Sequence, residues 1–151
     1  MKRRRCGLWR WLHVTVLIDS NVIIALLNTR DRNHPKAREI LTKLKDQEYG
    51  MRLTIDYVLD EVLTTLWMHT HQKSVVKKAY ELIRGTPKFI KFDYTTPEVL
   101  DLAWEKWESY AKWPEKPLSF TDCCILSFID TNDVGFLATF DSDFGGLCQL
   151  V

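Results

Sequence analysis

The chain has 151 residues, 46% of them apolar, which is enough for one domain with a substantial hydrophobic core and excludes an intrinsically disordered protein. The formal net charge is +1, but residues 1–91 carry +9 and residues 92–151 carry −8. A basic part suits contact with a polyanion and an acidic part suits bound cations, although solvated helix faces would give the same asymmetry. The four cysteines form no C-x-x-C pair, which argues against a zinc site and favours free thiols in a reducing compartment such as the cytoplasm.

The first 13 residues, M-K-R-R-R-C-G-L-W-R-W-L-H, are basic and rich in tryptophan. Arg10 and His13 interrupt the apolar part of this segment and no small-residue cleavage site follows, which argues against a signal peptide. We therefore expect residues 1–13 to be an extension, either non-native or disordered or a basic arm, and residues 14–151 to form a single domain. No stretch of the sequence is long and apolar enough for a transmembrane helix, so we expect no membrane partner.

Short apolar runs alternate with amphipathic segments from residue 14 onwards. Strands are predicted over 14–18, 53–55, 89–92 and 136–140, and helices over 22–27, 35–44, 56–69, 75–83, 97–111 and 120–130. This alternation predicts an α/β domain with a central, mostly parallel sheet. Asp56 is expected to cap the helix that begins beside it. The helical stripe that contains Trp104 and Trp107 is expected to lie in the core rather than to bind a ligand.

Aspartates follow the first and the last of the predicted strands. Asp19 comes directly after V-T-V-L-I, and Asp141 lies in L-A-T-F-D-S-D-F, where Asp143 is a nearby alternative. Because ligands of an open parallel sheet bind outside the carboxyl ends of its strands, we expect both positions at the binding site. Each aspartate also has a simpler interpretation, since Asp19 can cap the helix that follows and Asp143 can form a turn.

Two further acids lie early in predicted helices. Glu61 is about one turn into the helix that begins near Asp56, and Asp122 follows Ser119 by three residues in S-F-T-D. Both acids precede apolar residues, which predicts that they are partly buried. Ser119 and Asp122 also fit a capping box, and Glu61 also fits an exposed helical carboxylate, so each acid taken singly is ambiguous.

Several partly buried carboxylates in one place repel one another unless cations share the site. Hard oxygen ligands favour Mg²⁺ or Mn²⁺, which keep bound waters, bind substrate phosphate and activate water for hydrolysis. Five polar side chains can orient the carboxylates or bound waters, namely Ser20, Asn21, Ser119, Thr139 and Ser142. The sequence has no G-x-x-x-x-G-K-[ST] loop, no G-x-G-x-x-G fingerprint and no G-x-S-x-G elbow, which argues against nucleotide-loop and serine-nucleophile chemistries.

The ordered set of motifs resembles the PIN domain family and is most similar to the VapC-type toxins of toxin–antitoxin pairs. The resemblance covers residues 14–151 and is carried by I-D-S-N at 18–21, Glu61, S-F-T-D at 119–122 and L-A-T-F-D-S-D-F at 137–144. It implies a three-layer α/β/α fold and a Mg²⁺- or Mn²⁺-dependent ribonuclease that hydrolyses RNA phosphodiester bonds. It also implies a homodimer and an antitoxin protein that covers the active site.

The resemblance further implies which acids are catalytic and bind the metal: Asp19, Glu61, Asp122 and Asp141, with Asp143 as a less certain ligand. The basic segments 30–45 and 73–91 are candidates for contact with the RNA backbone. Three alternatives stay open. The chain can be a PIN-type nuclease of RNA maturation or decay that is not a toxin, a PIN-like module that binds nucleic acid or protein without cleavage, or a receiver-like or phosphohydrolase domain.

Overall fold

The computed structural model describes residues 14–45, 49–86 and 89–151, so the predicted N-terminal extension lies outside the described residues. Four strands are present in these ranges: β1 (Thr15–Ile18), β2 (Met51–Ile55), β3 (Lys91–Asp93) and β4 (Phe136–Ala138). The same ranges contain six α-helices: α1 (Ser20–Leu27), α2 (His34–Lys43), α3 (Asp56–Thr70), α4 (Lys73–Arg84), α5 (Pro97–Tyr110) and α6 (Phe120–Asn132). A 3₁₀ turn, Ser142–Phe144, follows β4. Within this part of the chain, no helix has the length and apolar character needed to cross a membrane.

The four strands form one parallel sheet in the order β3-β2-β1-β4. The chain moves outwards from β1 through β2 to β3 and then returns to the other side of β1 at β4. Right-handed crossovers therefore place α1 to α4 on one face of the sheet and α5 and α6 on the other. The helix packing agrees, since α1 contacts α2 and α3, α3 contacts α4, and α5 contacts α6. The predicted three-layer α/β/α fold is confirmed, and its topological switch point lies between the carboxyl ends of β1 and β4.

The core lies around the central strand β1 and the buried helix α6. Val16 and Leu17 are fully buried, as expected for a strand that is covered by helices on both faces. Every residue of 123–129 in α6 is buried, including the adjacent Cys123 and Cys124. Burial raises the pKa of the Cys123 thiol to about 11 and that of Cys124 to about 12, so both thiols are protonated packing groups.

The structure corrects two expectations about individual side chains. Asp56 does not cap α3 with its side chain; its Oδ1 instead accepts from the Thr95 N–H at 2.9 Å and from the Thr95 hydroxyl, which ties the start of α3 to the segment before α5. Trp104 and Trp107 are not core residues, because they are 52% and 38% exposed. Periodicity located the helix, but the small Ala103 fills the buried position of this turn and leaves both indole rings outside.

Candidate active site

Asp19 lies where β1 ends and α1 begins, and only 3% of its surface is exposed. Its backbone N–H donates to the Ala138 carbonyl of β4 at 3.0 Å, which holds this junction against the sheet. The carboxylate caps α1, because Oδ1 accepts from the Ser20 N–H at 2.6 Å and from the Ser20 hydroxyl at 3.3 Å. The capping interpretation is thus correct for Asp19, but it accounts for only one of the two carboxylate oxygens.

The second oxygen of Asp19 belongs to a polar network that joins the ends of β1 and β4. Oδ2 accepts from the Thr139 hydroxyl at 2.7 Å and from Asn21 Nδ2 at 2.9 Å. The same Asn21 amide nitrogen donates to Thr139 Oγ1 at 2.9 Å, and Asn21 Oδ1 accepts from the Phe140 N–H at 3.1 Å. Asn21 and Thr139 therefore fix both the position and the orientation of the Asp19 carboxylate.

Asp122 and Glu61 reach the same region from α6 and α3. A complete capping box holds Asp122, since Ser119 Oγ accepts from the Asp122 N–H at 3.1 Å and Asp122 Oδ2 accepts from the Ser119 N–H at 2.7 Å. The rings of Tyr57 and Phe120 meet edge to face with centroids 6.0 Å apart, so the first turns of α3 and α6 lie together. The charges of Asp122 and Glu61 both act on Asp19, and they act on each other.

Asp141 and Asp143 follow β4 on the side of the switch point opposite to α1. The Asp141 N–H donates to Thr139 Oγ1 at 3.0 Å, which connects this acid to the network around Asp19. Asp141 Oδ1 accepts from the Asp143 N–H at 2.8 Å and so caps the 3₁₀ turn. Both acids are half-buried and both raise the pKa of Asp122, Asp141 more strongly than Asp143. The fold thus brings together all five acids that the sequence singled out.

Burial of like charges raises the pKa values of three of these acids. Desolvation raises the pKa of Asp19 from 3.8 to about 7; hydrogen bonds from Thr139 and Ser20 offset part of this, and the charges of Asp122 and Glu61 add to it. Burial also raises the pKa of Glu61 and that of Asp122, in both cases with a further contribution from neighbouring carboxylates. A site with several carboxyl groups that resist ionisation is typical of a functional centre.

One residue that supports the site was missed by the sequence analysis. Thr54 of β2 is fully buried, and its hydroxyl donates to the Ile18 carbonyl at 3.0 Å, directly before Asp19. Threonine is common in strands because of its β-propensity, so its presence in β2 gives no sign of a hydrogen bond to the neighbouring strand. A usable signal was its place between Leu53 and Ile55, because a hydroxyl among buried residues needs a hydrogen-bond partner.

Comparison with known families assigns the domain. A family model described as "PIN domain" matches residues 16–149. The chain belongs to the PIN domain family. No curated protein sequence matches the chain significantly.

Three solved structures of bacterial proteins have a fold similar to that of this chain. VapC20 of Mycobacterium tuberculosis, described as a sarcin-ricin loop cleaving toxin, is 21% identical with a TM-score of 0.73, covering 86% of this chain and 92% of that chain. A toxin-antitoxin complex from Klebsiella pneumoniae is 17% identical with a TM-score of 0.63, covering 91% and 96%. FitAcB from Neisseria gonorrhoeae is 17% identical with a TM-score of 0.60, covering 90% and 96%. At these identities the likeness establishes the fold.

The donor chemistry of this PIN domain fits a hard divalent cation. Its candidate ligands are carboxylate oxygens that carry mutually repelling charges, and a cation would relieve that repulsion. In the part of the chain that the structure describes, no three Asp, Glu, His or Cys side chains lie close enough to surround a metal ion by themselves. Mg²⁺ keeps several waters and needs only one or two direct carboxylates, so waters would span the remaining distances.

The raised pKa of Asp19 predicts that the metal-free PIN domain loses stability as the pH rises. The folded state retains a proton on Asp19 up to about pH 7, whereas an unfolded aspartate loses it near 3.8. The contribution is therefore fully present below about pH 4 and is lost between about pH 4 and 7. Urea unfolding in EDTA should give a free energy of unfolding that falls by a few kcal/mol across this range, to which Glu61 and Asp122 contribute with the same sign.

Two aspartate-to-asparagine variants test the assignment of this pH dependence. Asp19→Asn removes the titrating group and should flatten the profile. Asp133→Asn is the matched control, because Asp133 is exposed with a φ of 54°, a conformation that asparagine tolerates. A wild-type profile that is flat or rises from pH 4 to pH 7, or an unchanged slope in Asp19→Asn, would contradict the prediction.

Proposed function

We propose that this chain is a Mg²⁺- or Mn²⁺-dependent endoribonuclease that hydrolyses RNA phosphodiester bonds. The observation that carries the proposal is the buried Asp19 at the switch point of the sheet, with the charges of Asp122 and Glu61 acting on it. A structural cap needs neither this burial nor these neighbours. A centre that gathers cations around a substrate phosphate needs both.

Each acid has a defined place in the proposed mechanism. Asp19, Glu61, Asp122 and Asp141 would hold the metal, with Asp143 as the alternative to Asp141. The ion supplies charge neutralisation at the phosphate and lowers the pKa of bound water. Thr139 and Asn21 orient Asp19 through hydrogen bonds of 2.7 and 2.9 Å, and a third hydrogen bond of 2.9 Å joins Asn21 to Thr139. The Ser119 N–H donates to Asp122 Oδ2 at 2.7 Å, which holds this carboxylate at the start of α6.

RNA cleavage with and without metal tests this function. On a panel of labelled structured RNAs, we expect cutting with Mg²⁺ or Mn²⁺ and none with EDTA. Asp19→Asn and Asp122→Asn each remove a ligand charge with little change of shape, so each should lower the rate by more than about 100-fold. Thr139→Val removes the hydroxyl contacts to Asp19, Asn21 and Asp141 but no ligand charge, and it should lower the rate by about 10- to 100-fold. The readout is the initial rate of cleavage of one RNA substrate.

Three further variants complete the cleavage experiment. Asp133→Asn changes an exposed acid far along α6 from Asp122 and should leave the rate unchanged. Asp141→Asn should lower the cleavage rate more than Asp143→Asn does. The Asp141 N–H is hydrogen-bonded to Thr139, and the charge of Asp141 raises the pKa of Asp122 more than that of Asp143 does. Cutting that persists in folded Asp19→Asn and Asp122→Asn would reject the carboxylate nuclease and leave a PIN module that binds without cleavage.

We further propose that the nuclease is the toxin of a toxin–antitoxin pair and acts in the cytoplasm, where its RNA substrate and a reducing environment are found. All three solved structures named above are similar over at least 86% of this chain, and two of them are described as a toxin or a toxin-antitoxin complex. The partner would be an antitoxin protein that covers the acids. The free thiols of Cys123, Cys124 and Cys148 suit the same compartment.

Expression in bacterial cells separates a toxin from a nuclease of RNA maturation. Induction of the wild-type chain should arrest growth, and induction of Asp19→Asn at the same protein level should not. Co-expression of the small protein encoded beside the gene should relieve the arrest by forming a complex that co-purifies with the chain. If the cells grow normally while their extract shows the RNA cleavage, the toxin proposal is rejected and the nuclease proposal stands.

We also propose that the chain forms a homodimer through an exposed aromatic face on α5 and the loop after it. This face comprises Trp104, Trp107, Tyr110 and Trp113, of which Trp113 is 85% exposed. The rings of Trp104 and Trp107 stack with centroids 5.4 Å apart, which presents one continuous apolar surface. Large exposed aromatic patches mark protein interfaces. Glu105, Glu108 and Lys112 are all exposed on this segment, so two copies related by a two-fold axis can pair opposite charges.

The mass of the protein in solution tests the dimer. We expect light scattering after gel filtration to give twice the chain mass of 17.8 kDa. Trp104→Ser with Trp107→Ser should give the monomer mass, because both side chains are exposed and their loss leaves the core intact. Trp67→Ser is the control, since Trp67 is an exposed tryptophan on α3. A wild-type monomer, or a dimer in the double variant, would reject this interface.

A further inference from the structure

A polar cavity of about 130 Å³ lies at the ends of α1 and α3 and the start of α4. Its walls include Leu27 and Asn28 of the α1 end, Arg30 of the next loop, His69 of α3, and Gln72 and Val75 at the start of α4. None of these residues belongs to the acidic site, and the proposed hydrolysis uses none of them. We call this cavity the helix-end pocket.

The helix-end pocket is connected to the acids by two helices that run side by side in the same direction. Ser20 at the start of α1 lies close to Glu61 near the start of α3, and Leu27 at the end of α1 meets His69 near the end of α3. The offset in sequence is nearly the same at both places, so α1 and α3 are parallel. At 1.5 Å per residue, the length of α1 separates Asp19 from the pocket by about 12 Å. A nucleic-acid strand with a phosphate at the acids can place a nearby nucleotide there.

The pocket is suited to a flat, polar group with hydrogen-bond donors and acceptors. No aspartate or glutamate lines it, and among the described residues neither Arg30 nor His69 forms a salt bridge. The planar guanidinium and imidazole can stack on an aromatic ring, and Leu27 and Val75 supply apolar contact. The Asn28 and Gln72 side-chain amides can both donate and accept hydrogen bonds.

A nucleobase fits this chemistry better than a phosphate group does. Two helix carboxyl ends, those of α1 and α3, and one helix amino end, that of α4, meet at the pocket. The partial negative charges of the two carboxyl ends oppose the partial positive charge of the single amino end that would attract an anion. A base brings no charge, offers donors and acceptors along its edges, and presents two faces for stacking. Proteins that read RNA sequence bind unstacked bases in this manner.

We propose that the helix-end pocket binds one unpaired base of the RNA substrate close to the cleavage site and thereby selects the sequence that is cut. This inference rests on the proposed ribonuclease function and adds a sequence-reading site to it. The substrate class is then single-stranded or looped RNA, because a base inside a duplex cannot enter a cavity of this size.

Titration with the four nucleoside 5′-monophosphates tests the pocket without any cleavage. Amide shifts of ¹⁵N-labelled protein in EDTA should move around residues 27–30 and 69–75, with one base preferred. Arg30→Ala should weaken that binding about tenfold, and Gln72→Ala should change which base is preferred. Arg32→Ala is the matched control, because Arg32 is exposed in the same loop and does not line the pocket. Ribose 5-phosphate should not bind.

Any other result contradicts the proposal that the pocket binds a base. Equal binding of ribose 5-phosphate would identify an anion site, an equal loss in Arg32→Ala would indicate general charge attraction, and no shifts at these residues would exclude base binding. Cleavage assays keep the two proposals separate. If the chain cuts RNA but binds no base, the base-binding proposal is rejected and the ribonuclease proposal stands. In that case the cavity remains available to a protein partner. If the chain binds bases but does not cut RNA, the ribonuclease proposal is rejected and the base-binding proposal stands.

Discussion

The buried Asp19 carboxylate and the hydrogen bonds that it accepts are the interaction on which the candidate site depends. One oxygen caps α1 through Ser20, and the other joins Asn21 to Thr139 across the switch point. These contacts stabilise the ionised carboxylate only in part, since desolvation still raises its pKa to about 7. The junction is therefore held firmly in place while the charge stays poorly compensated, which is the combination that a cation site requires.

The topology explains why this junction gathers acids from distant parts of the chain. In the order β3-β2-β1-β4, the chain leaves β1 towards β2, whereas β4 lies on the other side of β1, so the carboxyl ends of β1 and β4 border the switch point of the sheet. Asp19 and Asp141 follow these two strands. The contact of Tyr57 with Phe120 brings α3 and α6 to the same edge, and with them Glu61 and Asp122. Residues more than 100 positions apart thus meet because of strand order and helix packing.

Much of this arrangement could be predicted from the sequence, because short apolar runs and helical periodicity are local signals. Asp19 and Asp141 both follow predicted strands, and a parallel sheet places the carboxyl ends of its strands at the same edge, so their common location could be predicted. Long-range partners could not be predicted in this manner. The Asp56 side chain accepts a hydrogen bond from Thr95 instead of capping α3, and the Thr54 hydroxyl donates to the Ile18 carbonyl from the neighbouring strand. The exposure of Trp104 also depends on how closely α5 packs against α6 near Ala103, which periodicity does not report.

The energetics of the acids couple cation binding at the candidate site to folding. Above about pH 7, burial of the ionised Asp19 costs free energy that a compensating positive charge would recover, and the unfolded chain offers no comparable group of carboxylates. A divalent cation would therefore bind the native state far better than the unfolded state and stabilise it by mass action. Thr139 and Asn21 hold Asp19 in place through hydrogen bonds within the protein. In the proposed function, the fold would supply the geometry, a bound ion would relieve the repulsion between the carboxylates, and the substrate phosphate would meet groups that are already in place.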